Sequence, residues 1–294
     1  MDDGRRGTLL GASAYLCWGL FPLYWRLLEP AGAVEVLAHR VVWSVLVCAA
    51  LLAVTRSWSA VRAVDRRTLA RLALAAVVIA VNWGVFIYGV TSDQVVETSL
   101  GYFINPLVTV ALGVLVLGEV LRPVQKWALA GAGAAVLLLT LENGRPPWLA
   151  LVLAASFGTY GLLKKTAGVS PVVGLSVETA VLVPLALGYL VAIGGGTATT
   201  EGPGHAALLV GTGVVTAVPL LLFAGAAARV PLTTLGLLQY VTPTMQFLLG
   251  VLLFHEPLPV AKLLGFTLVW VALAVFTYDA LSHRRRPAPV PEPA

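Results

Sequence analysis

The chain has 294 residues, of which 59% are hydrophobic and 11% charged, with a mean hydropathy of +0.90 and a formal net charge of +5. Soluble globular proteins carry about 25% charged residues. A soluble enzyme, a disordered chain and a nucleic-acid binder are therefore excluded, and an integral membrane protein is left. The basic residues are scattered between apolar runs rather than gathered into a patch, so no nucleic-acid partner is expected.

A membrane-spanning helix needs ~20 apolar residues. Apolar runs divided by charges or by Gly/Pro clusters predict ten of them, at 7–28, 34–55, 69–91, 94–117, 124–141, 148–165, 171–193, 206–228, 231–254 and 260–280. The first run follows Arg5 and Arg6 and lacks a small-residue cleavage site, so it reads as a span and not as a removed signal peptide. GGGTATTEGPGH at 194–205 reads as a flexible loop, and HRRRPAPVPEPA from His283 as a basic stub with a Pro-rich end. Cys17 and Cys48 lie inside apolar segments and read as small hydrophobes, with no disulfide framework.

Cytoplasmic loops of membrane proteins are enriched in Lys and Arg. With the N-terminus cytoplasmic, the inner segments hold 15 of the 19 basic residues, among them Arg62, Arg66, Arg67 and Arg284 to Arg286. Arg26, Arg145 and Lys262 fall outside, and Arg40 falls within a span. Both termini are thus expected in the cytoplasm of a bacterial cell, with the spans in its inner membrane.

"GVLVLGEVLRP" from Gly113 aligns without gaps to "GVLLFHEPLPV" from Gly250, an offset that also superposes Pro106 on Pro243 and Glu119 on Glu256. Five helices separate the two copies. Because five is odd, the halves would cross the bilayer in opposite directions, the architecture of carriers that hold substrate where inverted repeats meet. The expected organisation is an all-α integral membrane protein of ten transmembrane helices, built as two inverted five-helix repeats. Residues 1–6 form an N-terminal stub, 7–141 and 148–280 the repeats, and 281–294 the tail. Glu119 and Glu256, at the membrane faces, read first as helix caps.

An ionisable group at the centre of a span costs roughly 2.5–3.5 kcal/mol on insertion scales. Arg40 sits about 9 Å below the outer end of its helix, Glu97 about 5 Å below the outer end of its own, and Glu178 ~11 Å deeper than Arg40. Glu97 is the expected counter-ion of Arg40, and Asp93 lies at the rim. Glu178 reads either as a proton carrier, protonated or salt-bridged, or as a structural residue. His39 shares a helix face with Glu35 and reads as a hydrogen-bonding link between helices.

Pro22, Pro106, Pro184, Pro219 and Pro243 lie within the expected spans, where each frees a backbone carbonyl. Tyr102 and Asn105 precede one of the repeat-related prolines, and Gln239 and Tyr240 precede the other. Paired kinks with polar neighbours point to a midplane cavity. Trp18, Asn82 and Trp83 lie deep enough to complete a wall for an organic solute, although aromatic packing explains them equally well. No phosphate-cradling loop, paired-His metal motif or nucleophile elbow occurs, so no cofactor, metal or enzymatic activity is expected.

The runs "YLCWGLFPLYWRLL" from Tyr15, "EVLAHRVVWS" from Glu35, "ETSLGYFINPL" from Glu97 and "LGLLQYVTPTMQFLLGVLLFHEPL" from Leu235 resemble the RarD branch of the EamA-type drug/metabolite transporter superfamily, as do "SFGTYGLLKK" and "ETAVLVPLAL". The resemblance spans about residues 7–281. It implies ten helices in two inverted halves and secondary transport of organic solutes, in a branch described as chloramphenicol-sensitivity proteins or permeases. Its motifs fall on Glu35, His39, Arg40, Glu97, Tyr102, Asn105, Gln239 and Tyr240. The expected partners are a small-molecule solute and membrane lipid, with monomer and homodimer both open. The alternative is a non-transporting scaffold or sensor that presents its basic loops.

Overall fold

The computed structural model describes residues 3–284 apart from 119, 122, 228, 231–233, 236 and 237. Side chains are described throughout this range except at 113, 117, 143, 165, 166, 224 and 280–284. The repeat residue Glu119 and the proline-rich tail therefore lie outside the described residues.

The described residues are helical, with no strand. The elements are α1 (Asp3–Gly19), α2 (Phe21–Arg26), α3 (Ala33–Val54), α4 (Trp58–Arg62), α5 (Arg66–Thr91), α6 (Val95–Leu117) and α7 (Pro123–Asn143). They continue with α8 (Trp148–Ala167), α9 (Pro171–Ala192), α10 (Thr197–Thr200), α11 (Pro203–Ala227), α12 (Val241–Leu248) and α13 (Val260–Arg284). A π turn, Leu249–Leu253, prolongs α12. Among the described residues seven helices (α3, α5, α6, α7, α9, α11 and α13) are long and apolar enough to cross a membrane, while α8 and α12 with its π turn are shorter apolar helices.

Local chemistry sets several of these boundaries. The Asp65 carboxylate caps α5, accepting from the backbone N–H of Arg67 and Thr68 and from the Thr68 hydroxyl. Those bonds, the ones from Thr68 foremost, hold its carboxyl below the usual carboxylate range. The first expected span, 7–28, is interrupted at Leu20. Pro22 has no N–H to give the carbonyl of Trp18 four residues back, and α2 starts afresh with Pro22 in its first turn. The freed Trp18 carbonyl accepts from Gln246 Nε2 of α12 instead, at 3.3 Å.

The 194–205 segment is a shaped turn and not the flexible loop expected from its composition. Gly194, Gly195 and Gly196 hold φ of 63°, 85° and 57°, a region where glycine alone is comfortable. They deliver Thr197 to the side chain of Glu35: its N–H and its hydroxyl both donate to Oε1, at 2.6 and 2.7 Å.

Helix α3 packs against α9 and α11, α5 against α8 and α9, and α1 against α11 and α12. Helix α6 lies between α8 and α12, and α7 pairs with α13. The two largest apolar clusters lie between these helices. One joins α6, α7 and α13 through Leu100, Phe103, Leu107, Leu139 and Phe266. The other gathers Phe21, Trp25, Val36, Phe86 and Leu153 around α2, α3, α5 and α8. Leucines and valines such as Leu46, Val54, Leu137, Leu141 and Val271 point outward, more than half exposed, onto a surface that only lipid satisfies.

Glycines let the backbones at the centre approach. A β-carbon on Gly213 of α11 would lie 2.7 Å from the backbone of Trp43, and one on Gly101 of α6 would lie 2.8 Å from the carbonyl oxygen of Ala150. Overpacking of this kind costs about 1–3 kcal/mol, against a helix-propensity gain of roughly 1 kcal/mol for Gly→Ala. Gly213→Ala and Gly101→Ala are expected to lower the thermal midpoint of the detergent-solubilised protein. Gly133→Ala, with open space around it, is expected to leave the midpoint unchanged or raise it.

Candidate functional site

The close approach of α3 and α11 at Gly213 places Thr216, one turn further along, against Arg40, one turn before Trp43. Arg40 is 4% exposed, and its Nε–H donates to Thr216 Oγ1 at 2.8 Å. The guanidinium carbon stands 3.8 Å from the ring centre of Trp83 on α5, 5.4 Å from Trp25 and 5.7 Å from Phe21. A cation over an aromatic face gains the more when water is excluded. Tyr102 of α6 packs against the apolar cluster that holds Phe21 and Trp25. Its hydroxyl donates to Asn82 Oδ1 at 3.3 Å, and the Asn82 amide donates to the Leu153 carbonyl and to Ser156 Oγ of α8. Arg40, Trp83, Asn82 and Tyr102, named from the sequence, thus converge.

The expected Arg40–Glu97 pair does not form. Glu97 turns to the start of α8, where Oε1 accepts from the Leu149 N–H at 3.1 Å. The depth argument carried no information on lateral position, and an orphan amide at a helix start competes well for a carboxylate. Asp93 pairs with Arg26, whose guanidinium also lies over the Phe254 ring.

Glu178 is salt-bridged, one of its expected states: Lys164 Nζ lies 2.7 Å from Oε1, and the Tyr160 hydroxyl donates to Oε2 at 3.0 Å. His39 does not link helices. Its Nδ1 accepts from Trp43 Nε1 within α3, and its Nε2 is sealed from solvent with no partner. The reason is spacing, since Trp43 stands at i+4 on the same face.

Trp18 stacks edge-on with Tyr15 and packs beside Phe223. It touches the same apolar cluster as Tyr102. The other proline-flanking residues stand apart from Arg40. Asn105 is buried with Oδ1 unpartnered, Tyr240 packs on the α6–α7–α13 cluster, and Gln239 is half-buried beside it.

A cavity of about 20 Å³, room for roughly one water, lies between α3, α5, α9 and α11. Trp83 and Thr216 line it on the Arg40 side, Glu178 and Thr179 on the other, with Ser44 Oγ unpartnered beside them.

Glu256 is a cap, as its position suggested, but for a helix far away in sequence. The π turn carries Gly250 against Val96, where a β-carbon would not fit, and the chain turns back through His255 at φ 54°. Glu256 Oε1 and Oε2 then accept from the N–H groups of Val95 and Val96, at 2.6 and 2.9 Å.

Reasoning from sequence missed Thr216, Trp25 and Phe21 as companions of Arg40, and Tyr160 and Lys164 as companions of Glu178. Thr216 carried a signal, being a polar residue within an apolar run and three residues before Pro219.

Apolar spanning-length helices around a buried cation and its aromatic wall define a multi-pass membrane protein with a polar centre. The EamA-like transporter family model matches residues 5–141. A protein named RarD from Streptomyces exfoliatus is 53% identical over 97% of this chain and 92% of its own length. An uncharacterized transporter named YojE from Bacillus subtilis is 42% identical over 96% and 97%. A protein named chloramphenicol-sensitive protein RarD from Pseudomonas aeruginosa is 33% identical over 98% and 99%. A solved crystal structure superposes with a TM-score of 0.58 at 19% identity, covering 94% of this chain and 98% of that one, a likeness of fold. The chain belongs to the EamA-like transporter family, within its RarD branch. By that kinship it is a membrane transporter.

Removing Lys164 would strand Glu178, which is 2% exposed. Breaking such a pair costs about 3–5 kcal/mol, whereas removing both charges is often neutral. Lys164→Met is therefore expected to lower the thermal midpoint sharply, and Lys164→Met with Glu178→Leu to recover most of it. Glu256→Ala is expected to cost about 3–6 kcal/mol from two charge-assisted bonds, and Glu256→Gln about half of that, both read from thermal unfolding in detergent.

Proposed function

We propose that this protein is a secondary carrier that exports small organic solutes, chloramphenicol-like compounds among them, across the bacterial inner membrane. It works by alternating access between two inverted five-helix halves, residues 7–141 and 148–280, with both termini cytoplasmic, and is driven by the proton gradient.

The observation that carries the reading is the site built across the two halves. Arg40, Trp83, Asn82 and Tyr102 come from the first, and Thr216, Leu153 and Ser156 from the second. The inverted repeat gains support from the packing. When each helix of the first half is exchanged with its counterpart in the second, the contacts α6–α8 and α1–α12 interchange, as do α5–α8 with α1–α11 and α3–α11 with α5–α9. The contacts α3–α9, α6–α12 and α7–α13 map onto themselves. Val108 packs on Gly158, and Met245, its partner in the repeat, packs on Gly19. For the proton, Glu178 is the favoured carrier, because it borders the cavity that leads to Thr216 and Trp83. Glu97 is occupied as a cap. The name of the Pseudomonas relative supports the drug-like solute.

Proteoliposomes with an imposed pH gradient and radiolabelled chloramphenicol test the reading. Flux is expected to follow the gradient, to fall about tenfold or more in Arg40→Gln, the loss of ~1.4 kcal/mol or more of stabilisation, and to lose its gradient response in Glu178→Gln. Flux indifferent to the gradient would remove the proton step. Flux no greater than that of protein-free liposomes, with loss of cellular function on neutralising Arg62, Arg66 and Arg67, would favour the scaffold or sensor. Tags placed after Leu117 and after Phe254 are expected on opposite faces of the membrane.

A further inference from the structure

A buried guanidinium ordinarily brings its carboxylate with it, because desolvating a lone charge is costly. Three acids of the neighbouring helices, Glu35 and Glu178 buried and Glu97 half-buried, are each engaged elsewhere: Glu35 by Thr197, Glu97 by the Leu149 amide, and Glu178 by Lys164 and Tyr160. Among the described residues no carboxylate pairs with Arg40, and only its Nε–H has an acceptor, Thr216 Oγ1. The four terminal N–H donors have none. Nη1 and Nη2 are also absent from the buried, unpartnered polar atoms, so they keep contact with accessible space. Trp83 fixes the plane of the guanidinium from one face, and Thr216 fixes its rotation at Nε. What is left open is the end-on fork of two parallel donors, whose spacing matches the two oxygens of a carboxylate. The Trp25 indole N–H is buried without an acceptor, in a ring centred 5.4 Å from the guanidinium carbon.

From this geometry we infer that the solute is a small organic monocarboxylate, whose oxygens take the Arg40 fork while its apolar body lies against Trp25, Phe21 and Tyr102. A second negative charge would need a second cation, and Lys164 is already paired with Glu178, the acid that borders the cavity. The inference rests on the transporter reading and sharpens its substrate from drug-like solutes at large to anionic ones.

The test uses the full chain in detergent with matched probes: benzoate and hexanoate against benzamide and hexanamide, read by tryptophan fluorescence and thermal shift. The two acids are expected to bind saturably below about 10 mM and to raise the midpoint, and the two amides to do neither. Arg40→Gln is expected to abolish the acid response and Arg40→Lys to weaken it about tenfold, since an ammonium keeps the charge and loses the fork. Equal binding of acids and amides, no saturable acid binding, or an undiminished response in Arg40→Gln would overturn the inference. The acid–amide comparison on the unaltered protein decides it even if the variants do not fold. Chloramphenicol is neutral, which keeps the two readings separable in proteoliposomes. Chloramphenicol flux without acid binding sinks the anion site and leaves the carrier. Acid binding with no flux of any probe leaves the anion site and sinks the carrier.

Discussion

Hydrocarbon offers no water to an unpaired backbone group, and most of the polar architecture follows from that constraint. The amides at the start of α6, α8 and α10 are capped by carboxylates reached across the bundle: Glu256 to Val95 and Val96, Glu97 to Leu149, and Glu35 to Thr197. Anionic side chains at positive helix ends gain from the dipole as well as from the bonds. The same rule disposes of carbonyls. Gln246 answers the Trp18 carbonyl that Pro22 cannot, and the Thr242 hydroxyl donates to the carbonyl of Tyr15. Hydroxyls on Thr109, Thr140 and Ser156 bond back to carbonyls of their own helices. Glu35 and Glu97, acids within apolar spans, and Glu256, at a membrane face, thus each cap the start of a helix.

Against that background Arg40 stands out, because it is a buried charge whose terminal nitrogens meet no carboxylate among the described residues. Aromatic rings hold the guanidinium without neutralising it. A ring face offers a quadrupole and not a charge, so the cation retains a field that an incoming anion would feel strongly in a dry interior. The low dielectric that makes an unmatched charge expensive also makes its eventual match strong. A transport site needs that property in moderation, since a solute bound too well is never released.

Much of this was legible in the residues. Hydropathy and charge placed the long helices to within a few positions, because the length of a span and the polarity of its flanks are one-dimensional properties. The break at Leu20 was foreshadowed by Pro22 and then overlooked, since an apolar run of 22 residues looks continuous to a hydropathy count. The 194–205 turn was misread because glycine enrichment signals either freedom or a demanding backbone, and only three dihedral angles distinguish them. Arg40, Asn82, Trp83 and Tyr102 were found because buried polar and aromatic groups are rare enough in spans to be noticed singly. Their pairing was not, as the Arg40–Glu97 misassignment shows: depth along a helix is written in the sequence, whereas azimuth across a bundle of many helices is not. Thr216 escaped for the same reason, its role depending on the glycine-permitted contact between α3 and α11.

The division of labour between polar and apolar contacts bears on how such a carrier would move. Apolar packing between helices is little better than packing against lipid tails, so it holds the halves together without specifying one arrangement. Directional bonds do the specifying, and three that join residues 7–141 with residues 148–280 are carboxylate caps at helix starts: Glu256 on α6, Glu97 on α8 and Glu35 on α10. Hydrogen bonds to charged groups contribute about 1.5–3 kcal/mol each, enough together to favour one arrangement. They lie near helix ends, where entering water can replace them when the halves part. A latch made of the same groups at the centre would open onto nothing that could take their place. The deep bonds of the site, Arg40 to Thr216 and Asn82 to Ser156, lie away from the helix ends, and in the proposed carrier their replacement partner during opening would be the solute itself.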